Sequence, residues 1–308
     1  PQTVDHLGAK MYSHLPNALA ELVANAYDAD ARNVAINIED GAVSIVDDGH
    51  GMSREDVREK YLHIGRNRRA QDDGLTESGR RRVSGKKGLG KLALFGIGKR
   101  VQLTTTRKGS RVRTQIELSY EAMMASDGAY HPKELSGDVV EHRHGTVVRL
   151  EDLKRSTPVN APELAASLSK LFNYLDRDFR VVVIALDGQK YQVTRELRLD
   201  SVDVEFEWIF PRDLAAGDEL LADRGVAGHI VSSTSPLRQG LRGVTLYVKG
   251  RMANEPEYFD ASASSFAYSY LSGYLVADYL DGLEPDVIAT DRRAIDWDTD
   301  ETLALRKS

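Results

Sequence analysis

The chain has 308 residues, of which 41% are apolar and 29% are charged, a composition typical of a globular protein with one large domain or two smaller ones. The 47 acidic residues outnumber the 41 lysines and arginines, which argues against a surface built mainly to coat nucleic acid or anionic lipid. The absence of cysteine excludes disulfides and thiolate sites, and no apolar run reaches the roughly 18 residues that span a bilayer, so we expect a cytoplasmic protein without membrane contact.

The first half of the chain alternates helical and extended patterns in an order that predicts an α+β fold. Apolar residues at helical spacing predict a helix over 15–31, and alternating residues around the Asp-Gly pair at 40–41 predict a β-hairpin. Ser53 and Asp56 have the spacing of a helix capping box. The basic, glycine-punctuated segment 66–91 predicts a long loop. One helix and three strands are expected next, at 92–100, 100–106, 111–118 and 145–150.

A change of pattern at 156–162, with the sequence STPVNAP, indicates a boundary between two domains, 1–157 and 158–308. The second domain is expected to open with a helix at 163–175 and to end with the start of a helix over 291–306. Strands are expected between these helices, near 180–186, 191–198, 202–210, 227–232 and 243–249.

A polar stripe on the first predicted helix combines Glu21, Asn25 and Asp28. At about 100° per residue, these side chains lie within about 60° of one another and away from the apolar face. An ordinary solvated helix face accounts for this stripe. The alternative is a catalytic site, with Glu21 as a general base and the Asn25 amide oxygen as a ligand of a magnesium ion.

Asp47 is predicted to lie on a buried face, because strand alternation places it with Val43 and Ile45. A buried carboxylate requires a partner, since leaving it bare costs several kcal/mol. A structural acid at a strand end is one interpretation. The other is an acceptor for a ligand's amino group, such as the exocyclic amine of adenine, with Gly49 and Gly51 allowing the ligand to approach the backbone.

The segment SGKKGLGKLALFGIG at 84–98 nearly matches two phosphate-binding motifs. It is not a Walker loop, because Leu92 stands where that motif requires Ser or Thr. It is not a dinucleotide fingerprint either, because a charged loop and not a strand precedes it. Both motifs share a glycine-rich helix N-terminus, here with Lys87 and Lys91 close by, and this arrangement favours a polyphosphate.

Four segments occur in a characteristic order: ELVANAYDAD, VDDGHGM, GKKGLGKLALFGIG and HGTVVRL. Together they resemble the nucleotide-binding motifs of the GHKL superfamily, which comprises gyrase, the ninety-kilodalton heat-shock chaperones, sensor histidine kinases and MutL. The resemblance implies a Bergerat ATP-binding fold, an α/β sandwich that holds ATP with magnesium.

The resemblance also implies roles for single residues. Glu21 would polarise the attacking water, Asn25 would ligate magnesium, Asp28 would lie at the pocket wall, and Asp47 would bind adenine. The other implied nucleotide contacts are Gly49, Gly51, Met52, Lys87, Gly88, Leu89, Gly90, Lys91 and Thr146.

Glu21 implies the hydrolytic branch of the superfamily, because sensor kinases lack a water-activating glutamate. In that branch a βαβ-rich transducer domain follows the ATP domain, and residues 158–308 suit it. YVKGR resembles a MutL-like segment that presents a basic residue to the γ-phosphate, which would be Lys249 here. DRRAID resembles the end of a chaperone stretch with a catalytic arginine, which would be Arg292, with Arg293 as a rival. For each residue the alternative is a surface charge paired with an acid.

The segment AELVANAYDADA most resembles MORC-type ATPases and their prokaryotic relatives, several of which belong to anti-phage defence or DNA-manipulating systems. The resemblance implies a magnesium-dependent switch in which ATP closes a lid and pairs two N-terminal domains of a homodimer. DNA or a defence or repair protein is the expected partner. Two alternatives stay open: a chaperone-type ATPase acting on protein clients, and a module that binds ATP without turnover.

Overall fold

A computed structural model of the chain describes residues 14–62, 74–85, 90–126, 130, 132–135, 143–175, 178–214, 219–259 and 266–307. The chain divides into two compact units. The first comprises Pro1–Ser169 and Leu175–Thr194, and the second comprises Lys170–Tyr174 and Arg195–Ser308.

The first unit contains an eight-stranded sheet. Its strands are β1 (Asn33–Glu39), β2 (Ala42–Asp47), β3 (Gly98–Thr106), β4 (Arg113–Ser119), β5 (Lys133–Leu135), β6 (Gly145–Leu153), β7 (Arg180–Ile184) and β8 (Lys190–Val193). They lie in the order β5-β4-β3-β6-β2-β1-β7-β8. Neighbouring strands are antiparallel except for β1 and β7, which are parallel.

Helices pack against one face of this sheet. They are α1 (Leu15–Asp28), α2 (Arg54–Asp56, continued as a π-helical turn over Val57–Tyr61), α3 (Gly90–Ile97), α4 (Tyr120–Ala125) and α5 (Ala161–Ser169). The helices α1, α3 and α5 contact the strands, and alternate strand residues point into the core between the two layers. The fully buried side chains of this core include Leu19, Ile36, Leu94, Leu103, Leu150 and Leu168.

Most local predictions for the first unit agree with the structure. The hairpin forms as β1 and β2, with Gly41 at φ +67° in its turn. The capping box is also present: the Asp56 N–H donates to Ser53 Oγ at 3.0 Å, and the Ser53 N–H donates to Asp56 Oδ2 at 3.1 Å. The first helix ends earlier than predicted, because the chain turns into the left-handed region at Asp30, where φ is +59°. The short elements α4 and β5 were not predicted.

The predicted domain boundary after residue 157 is wrong. The strands β7 and β8 were assigned to the second domain, but β7 pairs in parallel with β1, with Asn33 opposite Arg180. The chain therefore returns to the first sheet after α5, which itself spans Ala161–Ser169 and not 163–175.

The second unit contains a five-stranded sheet in the order β12-β11-β13-β10-β9. Its strands are β9 (Val204–Phe210), β10 (Ala227–Ser233), β11 (Gly243–Val248), β12 (Arg251–Met252) and β13 (Leu271–Val276). The helices α6 (Glu219–Asp223) and α7 (Asp300–Lys307) belong to the same unit. The core includes Leu246, Val248, Leu280 and Ile295. None of the helices in the described parts of the chain is long and apolar enough to cross a membrane.

Candidate functional site

The C-terminal end of α1 contacts the loop that follows β2. The His50 N–H donates to the Ala29 carbonyl at 2.9 Å. A Cβ at Gly49 would lie 2.8 Å from the same carbonyl oxygen, and a Cβ at Gly51 would lie 2.0 Å from the carbonyl oxygen of Thr106. Gly51 also has φ +63°, which disfavours any larger residue. Both predicted glycines are thus required for close packing of this loop.

Asp47 ends β2, on the buried face of the sheet, as strand alternation predicts. Val43 and Ile45, which precede it on that face, are buried. One carboxylate oxygen, Oδ1, accepts a hydrogen bond from the Gly49 N–H at 2.9 Å. Burial raises the pKa of Asp47 to about 6, and the neighbouring Asp48 carboxylate adds to this rise. A ligand that donates a hydrogen bond to a carboxyl in such a position stabilises its ionised form.

Asp48 has a different, structural role. Its Oδ1 accepts hydrogen bonds from the Arg32 and Asn33 N–H groups at 2.7 and 2.8 Å, and its Oδ2 accepts one from the Asn33 side chain at 2.6 Å. Burial opposes ionisation, but these hydrogen bonds outweigh it and lower the pKa of Asp48. The two adjacent acids therefore lie in different environments: the pKa of Asp47 is raised and that of Asp48 is lowered.

A buried threonine that the sequence analysis missed connects the predicted binding residues. Thr105 on β3 accepts a hydrogen bond from the Met52 N–H at 2.9 Å. Its hydroxyl lies 3.1 Å from Thr146 Oγ1 and 3.1 Å from the Gly145 carbonyl oxygen. Thr146 in turn pairs with Asp47 across the sheet. No local sequence signal identifies Thr105, because its importance comes from the order of β3, β6 and β2 in the sheet.

The start of β6 packs directly on the loop after β2. His144 Nδ1 lies 2.7 Å from the Gly49 carbonyl oxygen. Gly145 has φ +132°, and a Cβ there would lie 2.1 Å from the Asp47 carbonyl oxygen. The fourth predicted motif thus contacts the second through backbone as well as side chains.

Asp28 holds the segment that leads to the glycine-rich motif. Its carboxylate is buried and accepts hydrogen bonds from the Ser84 N–H at 2.8 Å, the Ser84 hydroxyl at 3.0 Å and the Gly85 N–H at 3.0 Å. The place of Asp28 at a pocket wall stays a prediction, and the structure adds this unpredicted link between the first motif and the third.

The loop 74–85 is held against the end of α1 by two further residues. Asp30 accepts hydrogen bonds from the Thr76 hydroxyl at 2.6 Å and from the Ser78 N–H at 2.8 Å. Arg81 donates to the Ala31 carbonyl at 2.7 Å and lies over the Tyr27 ring, 4.6 Å from its centroid. The sequence predicted the segment 66–91 only as a long loop, and within it Arg81 holds the loop against the end of α1.

An ion pair joins the loop 74–85 to the loop that follows β2. Both oxygens of Glu77 accept hydrogen bonds from Arg107 Nη2, at 2.6 and 2.7 Å. Arg107 Nη1 lies 2.9 Å from His50 Nδ1 and donates to the Gly51 carbonyl at 3.3 Å. Arg107 therefore connects the loop 74–85 to the loop that follows β2.

Glu21 and Asn25 lie one turn apart on α1, so their side chains are neighbours on the helix surface. Glu21 is half-buried and Asn25 is exposed. The catalytic and metal-binding roles of these residues stay predictions. Among the described residues, no group of three or more acidic or histidine side chains could hold a metal ion by itself. The Asn25 amide oxygen is a donor that suits magnesium, which takes its other ligands from phosphate and water.

The glycine-rich motif is described in part. Gly90 and Lys91 are the first residues of α3, as the predicted helix N-terminus requires. Lys87, Gly88 and Leu89 lie outside the described residues.

The two basic candidates of the second unit lie in turns. Lys249 has φ +51°, and its N–H donates to Asp278 Oδ1 at 2.6 Å while its Nζ lies 3.6 Å from Asp278 Oδ2. Arg292 has φ +57° and donates to the Met252 carbonyl at 3.5 Å. The rival, Arg293, pairs with Glu255. The catalytic roles of Lys249 and Arg292 stay predictions.

Comparison with known proteins gives an independent assignment of the first unit. Residues 12–146 match the sequence model of a family described as histidine kinase-, DNA gyrase B- and HSP90-like ATPase. This range contains α1, the loop that follows β2, α3 and the start of β6.

Three relatives add to this assignment. A protein of Herpetosiphon aurantiacus that carries the name type II restriction enzyme HgiDII is 27% identical over 94% of the chain. The chain spans half the length of that protein, 50%. DNA mismatch repair proteins MutL of Clostridium beijerinckii and Clostridium botulinum are 39% and 43% identical over 49 residues, which cover 15% of the chain and 7% of each MutL.

Proposed function

Because residues 12–146 belong to the histidine kinase-, DNA gyrase B- and HSP90-like ATPase family, we propose that this protein hydrolyses ATP to ADP and phosphate and uses the reaction as a conformational switch. The observation that carries the proposal is that contacts link the four motifs to one another. Asp28 holds Ser84, His50 contacts Ala29, and Asp47 pairs with Thr146.

Asp47 recognises adenine in this proposal. Asp47 is half-buried and its pKa is raised, so it favours a partner that donates a hydrogen bond, as the exocyclic amine of adenine does. Thr146 pairs with Asp47 across the sheet and offers a hydroxyl group for the base or for bridging water, and the Thr105 hydroxyl lies 3.1 Å from that of Thr146. The raised pKa has a functional advantage, because the backbone hydrogen bonds to this carboxyl do not offset the cost of burying its charge, and a ligand that donates a further hydrogen bond gains binding free energy.

Glu21 is the general base. Its carboxylate accepts a proton from water as the water oxygen attacks the γ-phosphorus, and the bond from this phosphorus to the oxygen bridging to the β-phosphate breaks. Asn25 would hold magnesium together with phosphate oxygens, and the ion would neutralise charge on the phosphates. Gly90 and Lys91 place backbone N–H groups at the N-terminus of α3, where a phosphate is favoured.

The switch acts through the loop 74–85 and a second copy of the chain. Asp28 and Arg81 connect this loop to the helix that carries Glu21, so a change at the phosphates is transmitted to the loop. ATP closes this loop as a lid and pairs the N-terminal domains of two copies of the chain. One relative carries the name of a type II restriction enzyme and another that of a DNA mismatch repair protein. From these names we infer that the partner is DNA.

A turnover assay combined with light scattering tests this proposal. The purified protein should release phosphate from ATP with magnesium and lose this activity in EDTA. With a nonhydrolysable ATP analogue its mass should double on a sizing column, and with ADP it should return to the monomer. Binding of ATP without phosphate release would contradict the enzyme assignment, and an unchanged mass would contradict the dimer switch.

A further inference from the structure

The face of the eight-stranded sheet opposite the helices carries a groove of about 970 Å³. Its floor is a row of paired residues that crosses six strands. The members of this row are uncharged and mostly small: Gln192, Val182, Ala35, Val46, Val147 and Thr104. Val46 is 37% exposed at its centre. The side chains of Asp47, Thr105 and Thr146 point to the other face, so the groove is separate from the proposed ATP site.

Four basic residues line this groove: Arg113, Arg143, Arg180 and Lys190, which we call the basic rim. Arg143, Arg180 and Lys190 are exposed, and Arg113 is half-buried. None of the four forms an ion pair or a side-chain hydrogen bond with another residue in the described parts of the chain.

Other arginines on the same sheet face are neutralised. Arg149 pairs with Glu39 and Glu151, and Arg100 pairs with Asp152 at 2.7 Å. Among the described residues that line the groove, the acids are Asp47, whose side chain lies on the opposite face, and Asp48. The Asp48 oxygens already accept hydrogen bonds from Arg32 and Asn33. Positive charge therefore prevails in the groove, although the whole chain has a net charge of −6.

The spacing of the basic rim decides what kind of anion fits. Arg113 lies on β4 and Lys190 on β8, six strand spacings apart, which is roughly 29 Å at about 4.8 Å per strand. A single phosphate cannot contact both residues. A DNA duplex carries one charge per about 1.7 Å of its axis, so it offers phosphates along the whole distance.

We infer that this groove binds duplex DNA through its phosphates, without reading its sequence. Single-stranded nucleic acid is usually held by aromatic side chains that stack on the bases, and none of the described residues that line the groove is Phe, Tyr or Trp. Contacts made only by arginine and lysine with phosphates give affinity and orientation without sequence preference. The inference rests on the DNA partner of the proposed function, but it does not depend on ATP hydrolysis.

Fluorescence anisotropy of a labelled 24-base-pair duplex, without nucleotide, tests the inference. The test variant is Arg113→Gln/Arg180→Gln/Lys190→Gln. The control is Arg58→Gln/Arg238→Gln/Lys307→Gln, which removes the same charge from exposed residues outside the groove. Circular dichroism and ATP turnover without DNA, measured for both variants, establish that each is folded.

The test variant should bind at least ten-fold more weakly than the wild type at 50 mM salt. The slope of log affinity against log salt should fall in magnitude by about 0.9 for each phosphate that the variant no longer neutralises, so by roughly 2–3 in total. The control should bind within two-fold of the wild type. Equal decreases in the affinity of both variants would overturn the inference, because the effect would then be one of net charge.

Two further outcomes would also overturn it. A wild type whose affinity for the duplex is independent of salt does not use phosphate contacts. Polyglutamate can be compared with unlabelled DNA as a competitor at equal charge. If it displaces the labelled duplex equally effectively, the groove is assigned to an acidic protein segment. Loss of duplex binding in the test variant with normal ATP turnover separates this inference from the ATPase proposal, which would stand or fall on its own assay.

Discussion

The pH dependence of nucleotide binding is the most specific consequence of the site around Asp47. The pKa of this residue is about 6, because its carboxyl is buried. Adenine donates to the ionised carboxyl, so the nucleotide must bind this form more tightly. At pH 5, one unit below the pKa, about nine in ten carboxyls are protonated, and affinity should be about ten-fold lower than at pH 7.5, or about 1.4 kcal/mol.

The variant Asp47→Asn is the matched control for this titration. It keeps an oxygen for the Gly49 N–H but presents an NH₂ group to the adenine amine, so affinity at pH 7.5 should fall by about 1–3 kcal/mol. The remaining affinity should not follow the Asp47 titration between pH 5 and 7.5. Calorimetry with a nonhydrolysable ATP analogue at saturating magnesium measures both proteins, and protonation of the ligand itself is common to the two.

The stability of the same variant should change in the opposite direction. A carboxyl with a raised pKa stabilises the folded state below its unfolded value of 3.8, and this contribution is lost as the pH rises through about 6. The free energy of unfolding of Asp47→Asn at pH 7.5, measured with a denaturant, should therefore exceed that of the wild type by up to about 3 kcal/mol. The reasoning is refuted if the variant binds the analogue like the wild type, or if wild-type affinity is flat across this pH range.

Three other substitutions test the packing around the site. Gly51→Ala should lower the midpoint of thermal unfolding, because its Cβ would lie 2.0 Å from a carbonyl oxygen, and a folded variant of wild-type stability would contradict the close packing. Thr105→Val should cost about 1–3 kcal/mol in urea unfolding, since the Met52 N–H loses its acceptor, while Thr105→Ser should retain wild-type stability. Arg81→Gln should make the loop 74–85 more susceptible to limited proteolysis, and an unchanged cleavage rate would show that Arg81 does not hold it.

The local elements and the buried acid could be predicted from the sequence. The hairpin, the capping box and the position of Asp47 on the buried face of β2 all follow from periodicities of two or three residues, which short segments display on their own. Residues 12–146 match the sequence model of the family that the four ordered motifs predicted, and this range contains three of those motifs and the start of the fourth.

The long-range features could not be predicted in this way. The sequence of β7 predicts a strand but not its partner, which could be β1 or a strand of a new sheet. Only the fold shows that the chain returns to the first unit. Asp28 accepts a hydrogen bond from the backbone of Ser84, and Arg81 donates one to the backbone of Ala31. These partners are 50 or more positions apart in the chain, and a sequence pattern does not encode such pairs. The groove has the same origin, since its charges come from four separated segments.

A paired measurement on Glu21→Gln tests the central claim that this domain hydrolyses ATP with Glu21 as the base. A base acts mainly in the transition state, so the variant should release phosphate roughly 10²–10⁴-fold more slowly than the wild type. Its affinity for ATP, measured by calorimetry on the same preparation, should stay within about three-fold of the wild type. A Glu21→Gln protein that turns over ATP at the wild-type rate would contradict the account, and so would a variant that loses turnover only because it no longer binds ATP.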